Sequence, residues 1–171
     1  ACWWFHILGI LAFLNYLPYS KHFHIILAFP NTFYSNLEPK GSFTNMASVK
    51  NEVQMMMDPN ADPYAAPAEV DDAEDPGRFG AKDVNDLNWV QLMNAYSCTE
   101  CGRCTSECPA NQTGKLLSPR KIMMDTRDRL EEFGAHVTAN GKDGDDGKSL
   151  LDDYITREEL WACTSCNACT Q

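Results

Sequence analysis

The stretch Cys98-Thr-Glu-Cys101-Gly-Arg-Cys104-Thr-Ser-Glu-Cys108-Pro109 spaces four cysteines as C-x2-C-x2-C-x3-C-P. Three thiolates on so tight a loop can reach three irons of one cube. The fourth lies beyond the turn, and Pro109 stops the chain from continuing there as an uninterrupted hydrogen-bonded helix. This is the bacterial ferredoxin run for [4Fe–4S] clusters. It recurs as Cys163-Thr-Ser-Cys166-Asn-Ala-Cys169, with the first three ligands at the same spacing. Disulfides explain runs of three C-x2-C cysteines poorly. A structural zinc site needs four donors in all, often as two C-x2-C pairs, and each run here would overfill it.

In two-cluster ferredoxins the fourth cysteine of each run binds the other cluster. That rule predicts one complete quartet, Cys163, Cys166, Cys169 and Cys108. It also predicts a trio, Cys98, Cys101 and Cys104, whose fourth ligand falls just past Gln171. The chain starts with Ala1 rather than Met and stops inside a cysteine motif, so it reads as a piece of a longer protein. Two [4Fe–4S] clusters are expected, one of them lacking its fourth ligand within these residues. The catalytic substrate site is expected elsewhere.

Composition divides the chain. Residues 1–34 contain no Asp or Glu, one Lys and a dense set of aromatic side chains. Residues 51–80 carry eight acidic residues and one basic residue, and the whole chain has a net charge of -10. So acidic a chain lacks the Lys and Arg that phosphate contacts need, which argues against nucleic acid as a partner.

The apolar run to Leu17 approaches the roughly 20 residues of a membrane helix. A signal peptide would need a basic start and a small-residue cleavage site, and neither is present. Residues 1–34 are therefore expected to hold a transmembrane helix with an interfacial tail. Lys21, Lys40 and Lys50 follow the run, which places its C-terminal end and the iron–sulfur part on the cytoplasmic side of the inner membrane. Cys2 is expected to be a small packing residue. Residues 35–84 are acidic and Pro-rich and read as an irregular linker.

Within residues 85–171, Asn85 or Asp86 is expected to cap a helix over Leu87–Tyr96. Ser118-Pro119 opens a second helix, expected to end near Phe133-Gly134. Thr156-Arg-Glu-Glu159 is a capping box that opens a third, through Trp161. The Asp-Gly-Asp-Asp-Gly run of residues 143–147 lacks the spacing and terminal Glu of a calcium loop. His136 is expected at the surface.

His6 and His24 are five helical turns apart, so a straight helix would carry both on one face, about 27 Å from each other. Ionisable residues inside a membrane helix mark functional sites. From spacing alone two readings stand: axial ligands to two b-type haems, or, for His24 with His22 beside Lys21, interfacial residues.

The stretch from His6 to Phe29-Pro30 resembles the last transmembrane helix of the respiratory nitrate reductase gamma subunit, a di-haem cytochrome b that oxidises quinol. That resemblance implies haem b ligation by His6 and His24, with partner ligands on helices outside these residues, and quinone as a redox partner. Tyr96-Ser-Cys-Thr-Glu-Cys-Gly-Arg-Cys104, Cys108-Pro109 and Glu159-Leu-Trp-Ala-Cys-Thr-Ser-Cys166 resemble the iron–sulfur domain of heterodisulfide reductase-related proteins. The expected fold is mainly α. It comprises the C-terminal transmembrane helix of a cytochrome b-like bundle, an irregular linker, and an α-helical two-[4Fe–4S] ferredoxin-type domain. The expected function is membrane-bound electron transfer from the quinone pool through haems to the clusters, and on to a downstream reductase domain or subunit. Membrane lipid would be a further partner. An iron–sulfur subunit of a quinone-reducing dehydrogenase on a haem-free anchor, and a zinc-stabilised membrane-anchored binding module, are the alternatives.

Overall fold

The computed structural model describes residues 2–38, 45, 47–58, 80–141 and 146–169. The chain divides into two units, residues 1–40 with 82–171, and residues 41–81. The second unit contains α3, Ala47–Met57, within the segment expected to be irregular. Most of the acidic, Pro-rich stretch, residues 59–79, lies outside the described residues.

The first unit begins with α1, Cys2–Tyr16, a 3-10 turn Leu17–Tyr19, and α2, Phe23–Phe33. The expectation of a membrane-spanning helix in a cytochrome b-like bundle is not met. No helix among the described residues is long and apolar enough to cross a membrane. The reason lies at Pro18. Its missing N–H and its ring cannot continue the hydrogen-bond ladder. The chain tightens into the 3-10 turn, closed by Ser20, whose N–H donates to Leu17 O at 3.2 Å and whose Oγ donates to the same oxygen at 2.9 Å. The 15-residue α1 is thus only about 22 Å long. His22 lies in the corner with its ring edge-on to Phe13, 5.9 Å between centroids. Nothing in α1 is buried; Trp3, Phe5, Leu8 and Leu14 are all exposed, and so is Cys2.

α2 packs on α4 (Trp89–Ser97), and α4 packs on α7 (Pro119–Asn140). Tyr34, just past α2, meets Trp89 edge-to-face at 4.6 Å. The cap of α4 is Asn88 rather than Asn85 or Asp86. Asn88 Oδ1 accepts from the Gln91 N–H, and Gln91 Oε1 accepts from the Asn88 N–H, each at 2.9 Å. Ser118 caps α7 with Pro119 at its first position, as expected, but the helix runs past Gly134 to Asn140 and ends at Gly141, φ 87°. Gly134 keeps helical geometry; the stop is set by the positive-φ glycine that follows. His136 is half-buried there, with its Nδ1 enclosed and unpartnered. Thr156 and Glu159 form the reciprocal cap of α8, Arg157–Trp161.

The core is small: Val84, Ala95, Cys108, Ala110, Leu117 and Ile155. What joins the pieces is charge on α7. Arg129 is 1% exposed and is the largest fully buried side chain. Its Nε and Nη2 donate to the two oxygens of Asp83 at 2.9 and 2.7 Å. The same Nη2 reaches Asp146 Oδ1 at 3.0 Å and the Lys148 carbonyl at 2.8 Å, while Nη1 donates to Asp146 Oδ2. Asp83 Oδ1 also accepts from the Leu150 N–H at 3.0 Å. One guanidinium therefore ties the segment before α4 to the end of the polar loop preceding the second motif. The Arg129 hydrogen bond lowers the Asp146 carboxyl to about 2. Of the acidic run considered for calcium, Asp146 is committed to this pair, and residues 142–145 lie outside the described residues.

Removing one partner of a buried ion pair strands the other, which typically costs about 3–5 kcal/mol. Arg129→Met should therefore destabilise the folded protein by that order in chemical denaturation. Lys148→Met, whose ammonium is exposed, should leave the denaturation midpoint much closer to that of the unaltered protein.

Candidate metal centre

Two short helices follow the first cysteines: α5, Arg103–Ser106, and α6, Pro109–Gln112. The backbone of Cys98–Cys104 is repeated in Cys163–Cys169. Residues 100 and 165, each two after the leading cysteine, have φ 58° and 54°; residues 102 and 167, each four after it, have φ 80° and 60°. Left-handed backbone costs an L-residue roughly 1–2 kcal/mol, least for Gly and Asn, which explains Gly102 and Asn167. Glu100 and Ser165 adopt it against preference. Left-handed residues of this kind turn successive N–H groups toward one concave side, where they hydrogen-bond anionic sulfur.

The thiols respond alike. The Arg103 N–H draws the Cys101 thiol below its usual range, with help from the Thr99 hydroxyl. The Ala168 N–H and the Thr164 hydroxyl do the same for Cys166. In each loop the N–H donor is two residues after the thiol and the hydroxyl two before. The Ser165 N–H also donates to Cys163 Sγ at 3.4 Å.

Cys108 lies four residues beyond Cys104, the last cysteine of the first loop. It is buried with Ala110 and Leu117, and Ile122 and Ala162, the residue before Cys163, pack against that cluster. Cys169 is shifted upward, first by desolvation and then by the nearness of Cys163, Cys108 and Cys104. The second loop and Cys108 therefore share one neighbourhood, which Cys104 also borders. Among the described residues, no group of three His, Cys, Asp or Glu could hold a metal ion. A cube makes a different demand from zinc, because its four thiolates bind four separate irons rather than one point. The paired N–H-lined loops fit that group.

α7 positions both loops. Arg127 Nη2 donates to Glu100 Oε1 at 3.0 Å. Lys121 Nζ reaches Glu159 of α8 at 3.0 Å, Asp125 at 2.7 Å and the Tyr154 carbonyl at 3.0 Å. Thr105 Oγ1 accepts from the Arg120 N–H at 3.1 Å, tying α5 to the start of α7. The pairs Arg127–Glu100 and Lys121–Glu159 join residues 27 and 38 positions apart, which no local sequence pattern marks, whereas Lys121–Asp125 is an ordinary pair one helical turn apart.

The histidines are not brought together as expected. His6 is on α1 and His24 on α2, with the Pro18 corner between them, so the shared face of a single helix does not exist. His6 is exposed. His24 Nδ1–H donates to the Lys21 carbonyl at 2.6 Å, leaving Nε2 as the lone-pair nitrogen. A cavity of about 700 Å³ is lined by Pro18, Phe23, His24, Tyr96, Cys98 and Arg127, among others.

Residues 97–171 match the 4Fe-4S dicluster domain family. The chain is 35% identical to "Probable iron-sulfur-binding oxidoreductase FadF" of Bacillus subtilis, over 98% of this chain and 24% of that protein. It is 26% identical to "EtfAB:quinone oxidoreductase" of Syntrophomonas wolfei, over 99% of this chain and 23% of the relative. It is also 27% identical to an iron–sulfur subunit of the CoB–CoM heterodisulfide reductase of Methanopyrus kandleri, over 46% of this chain and 30% of the relative. No solved structure matches the chain. The chain thus spans about a quarter of the length of the first two relatives. The heterodisulfide reductase resemblance is supported, whereas that to a nitrate reductase gamma-type cytochrome b gains nothing from these relatives.

If the left-handed positions serve the clusters, Ser165→Gly should leave iron and sulfide content unchanged. Gly102→Val should cost about 1–2 kcal/mol and reduce occupancy of the first-motif cluster, read by EPR. The repeated loops belong to the segment that matches the 4Fe-4S dicluster domain, and nearly the whole chain is similar to part of longer proteins named as iron–sulfur and quinone oxidoreductases.

Proposed function

We propose that this chain is the two-cluster relay of a quinone-linked oxidoreductase. It passes single electrons between a [4Fe–4S] cluster on Cys98, Cys101 and Cys104 and another on Cys163, Cys166, Cys169 and Cys108. The first trio takes the fourth ligand that the repeat calls for four residues after Cys169. The observation that supports this reading is the packing of Ala162, at the root of the second loop, against the buried cluster of Cys108, Ala110 and Leu117. A cluster supplies one-electron capacity with all its protein positions filled, so substrate chemistry belongs to a further domain or subunit. The quinone link rests on the name of one relative.

The test is Cys108→Ser in the full-length protein, purified anaerobically. It should lower iron by about four atoms per chain and remove the EPR signal that Cys166→Ser also removes, leaving the other. Loss of the signal shared with Cys101→Ser would overturn the crossed assignment.

A second reading adds b-type haem at His24, and one observation favours it. A metal-binding histidine usually donates its other ring N–H to a carbonyl or carboxylate, which fixes the tautomer. His24 has that arrangement with Lys21, beside a cavity that reaches Cys98. His6 is the second candidate ligand, on spacing alone. His24→Ala should lower haem b content of the full-length protein in the pyridine haemochrome assay; unchanged content would end this reading.

A further inference from the structure

The two cysteine loops share one backbone but not one charge. Glu100 stands between Cys98 and Cys101 at φ 58°, where the second loop has Ser165 at φ 54°. From Cys163 to Cys169 the second loop has no ionisable side chain besides its cysteines, whereas the first also has Glu100 and Arg103. The Glu100 carboxylate is held from two directions. Arg127 Nη2 of α7 donates to Oε1 at 3.0 Å, and Lys21 Nζ, from the corner between α1 and α2, lies 3.7 Å from Oε2. Arg120 adds a weaker attraction, and Asp128 faces Arg127 at 3.5 Å. Cys98 lines the cavity bounded by this corner, together with Lys21, Glu100 and Arg127.

A cube bound by four thiolates is anionic and becomes more so on reduction. Net charge around a cluster is one of the factors that sets its potential. A carboxylate a few ångströms away opposes the extra electron, and a cation favours it. The Arg103 and Ala168 N–H donors are matched between the two loops, and the Ser165 N–H adds one weak 3.4 Å bond in the second. The ionised groups differ more.

We propose that Lys21, Glu100 and Arg127 form the tuning element of the first-motif cluster: Glu100 holds its potential down, the two cations offset that effect, and Lys21 makes the potential answer to the α1–α2 corner. The proposal rests on the cluster assignment above. Glu100 and Arg127 are positioning residues, acting on the cluster through the field and through the loop they hold.

The experiment is an anaerobic redox titration of the full-length protein, followed by EPR, with the second-motif cluster as internal reference. Glu100→Gln should raise the first cluster's reduction equilibrium constant by about three- to tenfold, where tenfold is 59 mV for one electron. Arg127→Gln should lower it by a similar factor. Lys21→Gln should lower it less, because its ammonium is the more exposed. The second cluster should stay within about twofold in all three. Ser165→Glu supplies the mirror experiment, since the backbone there already matches that of Glu100. It should lower the second cluster's constant and leave the first unmoved. Glu100→Gln and Ser165→Glu that leave both constants unchanged, or move both equally, would overturn the proposal. If Arg127→Gln fails to load the first cluster, the Glu100 and Ser165 variants decide alone. Failure of the crossed assignment shows separately, in which signal Cys108→Ser removes.

Discussion

The buried guanidinium of Arg129 is the interaction on which the rest of the first unit depends. The buried apolar residues among those described are few and mostly small, and bury too little apolar surface to order the connections before α4 and after α7. Arg129 supplies the missing constraint. Its planar fork grips Asp83, before α4, and Asp146 and the Lys148 carbonyl, after α7. The entry to the first motif and the approach to the second are thereby referred to one point on one helix. Such a group is costly to bury alone and stable only when every donor is used. Its Nε, Nη1 and Nη2 all donate, to two carboxylates and a carbonyl, and the carboxylates stay ionised because the cation faces them.

α7 then acts as the strut of the iron–sulfur part. Lys121 holds the cap residue of α8, Arg127 holds the first loop, and Arg129 holds the connections. Each cation reaches a different segment, so the two cysteine loops are set against a common frame although they lie far apart along the chain. The chemistry requires this. A relay works only if its centres keep a fixed separation, and neither loop is long enough to fix its own position. Within each loop the same left-handed residues direct N–H groups at sulfur. The charged side chains around the loops differ more, with Glu100 in the first where the second has Ser165.

The N-terminal helices show the limit of reasoning by pattern. Hydrophobicity and the spacing of His6 and His24 point to one long helix, because both measures assume an uninterrupted ladder. Pro18 breaks that ladder, and Ser20 stabilises the break with two hydrogen bonds to Leu17. The result is two short helices and a corner that carries Lys21 to the first loop. The large apolar side chains of α1 remain exposed, and contiguous surface of that kind marks a site of interaction.

The sequence by itself determined the cysteine spacings, the Ser118 and Thr156 caps, and the identity of the clusters those spacings serve. Each of these depends on residues within a few positions of one another, where covalent geometry fixes what can meet. The cap of α4 was misplaced by two or three residues because Asn85, Asp86 and Asn88 are all competent acceptors, and only Gln91 discriminates among them. Tertiary structure alone decided that Ala162 packs against the cluster of Cys108, Ala110 and Leu117, that Arg129 is buried between Asp83 and Asp146, and that Glu100 is claimed by Arg127 and Lys21. Those pairings join residues 17 to 79 positions apart. Any of the acidic chain's many carboxylates could have served in them, and only the packing of α4 on α7 selects which ones do.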